Sequence, residues 1–377
     1  MDGILYLESG QVYRGKGFGA AVTKVGELVF TTSMSGYQEL LTDPAVKGQV
    51  INMTYPLIGN CGISEIDSQS DHIHVSGLVT RDISFRPSGR FSVMSLSEWL
   101  KKHDVPGVYN VDTREIMKKI RSEDVMKCVI STERISKEYA MDLLKNTCLR
   151  KDCMKDAGVE MRVTRPGSAA EGAPGKGLKI VAIDFGIKRG LLAALTGCGM
   201  NMVLCPYTTT ADEILSMNPD GLLLPCGPGE PGECGHAVKT VQALVLEGKM
   251  PVFGIGLGHL VLAQAMGGSI YKMKPGHYGG NHGVKDLDTG NSVITSQHHG
   301  FAVDPDSLKG SGMVVSHINL NDGTVEGIRH RKLPAFSVQF GPEGTPGPMD
   351  SAGLIKRYAD MVLAVKSGTW KGSSQDA

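Results

Sequence analysis

The chain has 377 residues, 41% of them hydrophobic and 21% charged, with Lys+Arg and Asp+Glu both at 39. That length is comfortable for two domains. A net charge of zero gives no electrostatic basis for binding nucleic acid or an anionic membrane surface, and the apolar runs fall well short of the ~20 residues a membrane helix needs, so neither partner is expected.

The first residues, MDGILYLESG, lack a basic segment followed by a long apolar core, so a secretory signal is not expected and a cytoplasmic location is. Residues 1–148 read as a mixed α/β, strand-rich domain. Gln11–Tyr13 and Leu28–Thr32 are short β-type runs bounded by glycines. Ser95–Lys102 and Thr113–Arg121 read as helices; Ile116 and Ile120 share a face of the second. The eight cysteines are scattered without paired metal spacing, as expected for thiols in a reducing compartment.

Composition shifts over 149–177, where RPGSAAEGAPGKG carries no apolar periodicity, and the stretch reads as a linker. From 178 to 370 strands and helices alternate. LKIVAID, NMVLC, GLLLP and PVFGI read as strands, and Lys188–Thr196 and Ala237–Glu247 as helices closed by Gly197 and Gly248. Thr210–Glu213 is a capping box opening a further helix. Alternation of this kind predicts a mainly parallel sheet covered on both faces, with functional groups at the carboxyl ends of its strands.

At Pro251–His259 an apolar strand runs into Gly254-Ile-Gly256-Leu-Gly258, and a helix follows to Met266. That is the layout of a nucleophile elbow, in which the residue at the tip presents its side chain at a helix N-terminus. The tip here is Gly256, which has no side chain to attack a carbonyl. On this segment alone, a glycine-rich strand–helix turn or a phosphate-binding loop fits as well. The lysine and hydroxyl of a phosphate loop are missing, so no ATP site is expected.

Nine further segments resolve that choice. They are Thr32–Glu39, Leu41–Pro44, Thr54–Asn60, Val111–Arg114, Asp184–Lys188, Gly227–Pro231, Lys274–His282, His299–Asp304 and Thr345–Pro348. In this order, and over both halves of the chain, they resemble the small subunit of carbamoyl-phosphate synthetase, whose C-terminal half is a class I glutamine amidotransferase. The resemblance implies a cysteine nucleophile at the elbow and a His–Glu pair in a late H-P-E motif. It also implies a large subunit that carries the ATP and metal sites and makes carbamoyl phosphate for arginine or pyrimidine biosynthesis. No cofactor is expected on this chain itself.

The pattern breaks where chemistry is done. Gly256 stands at the cysteine position and Gly341 at the histidine position; Glu343 remains from the pair. Of the glutamine-binding positions that the resemblance implies, Ala45 replaces a serine, Leu260 a glutamine and His298 an asparagine. Gly227, Gly229, Leu257, Gly300 and Phe301 match, and the Gly227 loop would offer an oxyanion-hole N–H. Five side-chain-dependent positions have thus changed together, which predicts a heterodimer subunit without glutaminase activity, working beside a partner that uses free ammonia. The alternatives are a repurposed ligand-binding or regulatory pseudoenzyme and a hydrolase with a displaced nucleophile, for which Cys226 on the Gly227 loop is the candidate. His277, His282, His298 and His299 invite a metal, but three of them match residues that the family carries without one, so no metal site is expected.

Overall fold

The computed structural model describes residues 1–149, 153–168, 172–248 and 250–372. The chain divides into two compact units, Met1–Lys151 and Asp152–Ala377.

In the first unit the strands are Asp2–Leu7 (β1), Val12–Gly19 (β2), Thr23–Thr31 (β3), Gln49–Met53 (β4), Leu57–Ile58 (β5), Gly77–Val79 (β6), Asp82–Ile83 (β7), Pro106–Tyr109 (β8) and Met126–Ser131 (β9). Seven of them close a barrel in the order β1-β2-β8-β6-β4-β3-β9, and β5 and β7 pair outside it. Closure removes the unpaired edges that a small sheet would expose. Helices Tyr37–Leu41 (α1), Leu96–Lys102 (α2), Thr113–Glu123 (α3) and Lys137–Asn146 (α4) complete the unit. The two helices read from the sequence are α2, with a Ser95–Glu98 capping box, and α3, with Ile116 and Ile120 on its buried face.

The second unit opens with helix Cys153–Ala157 (α5) and strand Val163–Arg165 (β10), both inside the stretch read as a linker. Cys153 and Met154 are buried, and β10 pairs antiparallel with a sheet strand, so this stretch is partly built into the domain. A three-residue edge strand has no periodicity to detect; the long-range pairing defines it. The remaining elements are Lys179–Asp184 (β11), Arg189–Gly197 (α6), Asn201–Pro206 (β12), Ala211–Ser216 (α7), Gly221–Leu224 (β13), Gly235–Leu246 (α8), Val252–Ile255 (β14), Leu257–Ala265 (α9), Ile270–Asp286 (β15), Ser292–Val303 (β16), Met313–Asn319 (β17), Val325–His330 (β18), Ala335–Val338 (β19) and Gly353–Lys366 (α10).

They form one ten-stranded sheet in the order β10-β12-β11-β13-β14-β19-β18-β17-β15-β16. The central run from β12 to β19 is parallel, and the flanking strands are antiparallel. The parallel strands are buried on both faces, which accounts for their unbroken apolar sequence. Separate apolar clusters cover the two faces. One contains Leu224, Val261 and Leu262; the other contains Phe253, Phe336 and Tyr358. In the second, Phe253 stacks on Phe336 with ring centroids 4.4 Å apart.

Candidate functional site

Strands β13, β14 and β19 are parallel neighbours, so the residues just past their carboxyl ends meet. These residues are Cys226, Gly256 and Gln339 to Gly341. Gly256 ends β14 and caps α9 at φ 57°, ψ −112°, a backbone that only glycine holds without strain. The sharp elbow is therefore held by a residue without a side chain. Gly258 allows the helix to sit against the sheet: a Cβ there would lie 2.0 Å from the Leu224 carbonyl.

A Cβ on Gly256 would lie 3.0 Å from the Cβ of Cys226 and 3.8 Å from the Gln339 carbonyl. Cys226 is thus beside the N-terminus of α9 in space, although the sequence separates it from any helix start. Leu257 and Leu260 follow on α9 and are buried, with Phe301 packed on the same apolar cluster. Leu260, where the resemblance implied a polar substrate contact, is absorbed into the core.

At Gly341, where the resemblance implied a base, an added Cβ would meet the two carboxylate oxygens of Glu343 at 3.0 and 3.1 Å. The carboxylate occupies the space into which a side chain at 341 would project. Glu343 is 3% exposed and forms an ion pair with Lys188, itself 7% exposed. Lys188 also donates to the Thr345 carbonyl at 3.1 Å. Glu343 thus has a partner on the loop before α6. Lys188 is the residue that sequence reasoning passed over. The signal was a lysine in a strand-to-helix turn, just after Phe185 and Ile187, since a buried ammonium needs a carboxylate.

The remaining candidates have their own neighbours. His298 faces Tyr278 across β15 and β16, with rings 5.1 Å apart, and a Cβ on Gly300 would lie 3.1 Å from the Tyr278 hydroxyl. Gly227 packs so close to Phe185 that a Cβ would lie 2.3 Å from its carbonyl, and Gly229 has φ +105°. Ala45 lies in the first unit, in the 3-10 turn Pro44–Val46, where its N–H donates to the Asp43 carboxylate at 2.9 Å.

His277 and His299 are held by hydrogen bonds. His277, His299 and Glu326 bring their ligand atoms within 4.8 Å of one another. Yet His277 bonds Glu326 at 3.1 Å and Asp322 at 2.9 Å, and His299 bonds the Phe301 carbonyl at 2.9 Å and Gln297 at 2.7 Å. Each ring nitrogen thus has a protein partner, and a cation there would have to displace them. Burial disfavours the charged form of His277, but the Glu326 and Asp322 carboxylates outweigh it and raise its pKa.

His259, on the first turn of α9, is fully buried and bonds Ser337 at 2.9 Å. Burial pushes its pKa down to about 3, and that of His299 to about 4. A histidine kept neutral when folded takes up more protons unfolded, so stability should fall as pH drops from about 6.5 toward these values. His259 alone accounts for roughly 1.4 kcal/mol per pH unit across that window. His259→Asn, which keeps a polar group near Ser337, should flatten the fall in urea midpoint between pH 7 and pH 4.5. An unchanged slope would remove His259 as its source.

A doubly covered parallel sheet with an elbow at the end of its β14 strand is an architecture that several hydrolase and amidotransferase families share. The family model for class I glutamine amidotransferases matches residues 181–361, and the model for the carbamoyl-phosphate synthase small chain, CPSase domain, matches residues 5–130. Carbamoyl phosphate synthase small chains from Clostridium acetobutylicum and Akkermansia muciniphila are each 44% identical to this chain; the matches cover 96% and 97% of it, and 100% and 99% of those proteins. The small chain from Bacillus cereus is 41% identical, over 95% of both. The chain belongs to the carbamoyl-phosphate synthase small-chain family.

Proposed function

We propose that this chain is a carbamoyl-phosphate synthetase small subunit that does not hydrolyse glutamine, and that it serves a large subunit running on free ammonia. The observation that carries this is the pair Gly256 and Gly341. Acyl transfer from glutamine needs an atom that attacks and a base that takes its proton, and neither glycine supplies one. Loss of a triad nucleophile lowers turnover by ~10⁶. The retained elbow, the paired Glu343 and the intact N-terminal barrel leave the subunit a folded body for its partner. Ammonia is small and neutral when deprotonated, so a supply from solution bypasses the missing hydrolysis. The ATP and metal chemistry belongs to the large subunit.

The test is reconstitution with the large subunit. Carbamoyl phosphate should form with ammonium chloride and stay at background with glutamine, and the isolated chain should release no glutamate. Glutamine-supported synthesis, or a thioester trapped on any cysteine, Cys226 included, overturns the reading.

A further inference from the structure

Strands β5 and β7 lie outside the barrel, and the segments that carry them run side by side well beyond their short pairing. The Ser84 N–H donates to the Ile58 carbonyl at 2.8 Å, that of Ser88 to Asn60 at 3.0 Å and that of Val93 to Ile63 at 2.8 Å. Residues 54–63 and 81–93 thus form one ribbon on the first unit. Its inner side chains, Ile58, Ile63 and Ile83, are at most 5% exposed. On its outer side stand Tyr55, Leu57, Phe85, Phe91 and Val93, between 38% and 65% exposed. Single exposed apolar side chains are ordinary on a protein surface. Here five of the nine large ones exposed among the described residues of the first unit fall on this one ribbon.

The ribbon's charge is one-sided. Its sequence holds Arg81, Arg86 and Arg90 against a single carboxylate, Asp82, which already accepts the Ile83 N–H at 2.8 Å. The Arg90 guanidinium lies 5.5 Å from the centre of the Phe91 ring, and Phe85 meets Tyr109 edge-on at 5.7 Å. A cleft of about 470 Å³ opens where Leu57, Arg81 and Asp82 face Tyr109 and Lys16 of the barrel. Lys16 has Asp2 opposite it on β1, and Asp112, which feels the Arg81 charge, caps α3. The excess of positive charge therefore rests on the three arginines. Aromatic and arginine side chains together are the composition of an interface centre. A second copy of this chain does not suit it: a twofold interface sets a patch against itself, here arginines against arginines.

We infer that this ribbon is where the large subunit docks, through a face that brings carboxylates to Arg81, Arg86 and Arg90 and apolar side chains to Leu57 and Phe91. The inference rests on the reading that the chain works beside a large subunit, and not on the state of the glutaminase site.

Calorimetric titration of the full chain with the purified large subunit tests it. Arg86→Glu and Phe91→Ser should each weaken the complex by roughly tenfold or more. Both side chains are exposed, so the urea midpoint of the isolated chain should not move. Arg86→Glu should also flatten the loss of affinity between about 50 and 500 mM sodium chloride. Lys309→Glu, a charge reversal at an 80% exposed side chain of the second unit, should leave the affinity unchanged. Undiminished binding after both ribbon substitutions, or an equal loss with Lys309→Glu, overturns the surface and leaves the two-subunit reading in place. No complex with the unsubstituted chain overturns that reading as well. Self-association of the isolated chain that Arg86→Glu abolishes would give the ribbon to a second copy and overturn the inference.

Discussion

Gly256→Cys combined with Gly341→His should recover less than about 1% of the glutaminase rate of an intact triad enzyme, within the ~10⁶ range that loss of the nucleophile spans. Geometry gives two reasons. The added Cβ at 256 would start 3.0 Å from the Cys226 Cβ. Disulfide-linked residues hold their Cβ atoms about 3.5–4.5 Å apart, so a small outward shift brings the two thiols into bonding range. Under mild oxidation Gly256→Cys should cross-link to Cys226, and Cys226→Ser should abolish the cross-link; peptide mass mapping reads both. At 341, the imidazole would enter where the Glu343 carboxylate sits, 3.0 Å from the first added atom, and Lys188 pins that carboxylate in place. Leu260 and His298 add nothing for the substrate to bind. Recovery of full glutaminase activity from the two substitutions would show that the site had stayed intact around its missing groups.

The parallel half of the sheet was legible because buried strands and their helices carry distinct periods, and the capping residue Thr210 marks a helix start. The elbow was legible because its tight geometry constrains the sequence to glycine at Gly254 and Gly258 whatever stands between them. Strand β10 was not, since three residues are too few for a pattern and its partner Met202–Leu204 lies far along the chain. The barrel was hidden for the same reason: its order is set by pairings such as Gly77 with Val50 and Leu78 with Gly107, which no local signal encodes. At the site, the two glycines were visible but their surroundings were not. The resemblance implies a base at Gly341; only coordinates show that Glu343 lies against that position and that Lys188 pairs with it.

That rearrangement gives the second large effect. Glu343→Gln should destabilise the second unit by roughly 3–5 kcal/mol, because it leaves the Lys188 ammonium buried without its counter-charge. Lys188→Met should cost a similar amount and also release the Thr345 carbonyl that Lys188 binds. Replacing both at once, Lys188→Met with Glu343→Leu, should recover most of the loss, because two apolar side chains of similar size carry no desolvation penalty. Urea unfolding of the unsubstituted chain, Lys188→Met, Glu343→Leu and the doubly substituted chain forms a double-mutant cycle, with an expected coupling of at least about 1 kcal/mol. Reconstituted with the large subunit, the doubly substituted chain should keep its ammonia-dependent rate, since a carboxylate with no histidine to orient has no part in that reaction. If the single substitutions left stability unchanged, Glu343 would not be held as a structural ion pair. If the double one folded but lost ammonia-dependent synthesis, the carboxylate would still be acting in the chemistry, and the proposal that the site has been retired to a structural role would fall.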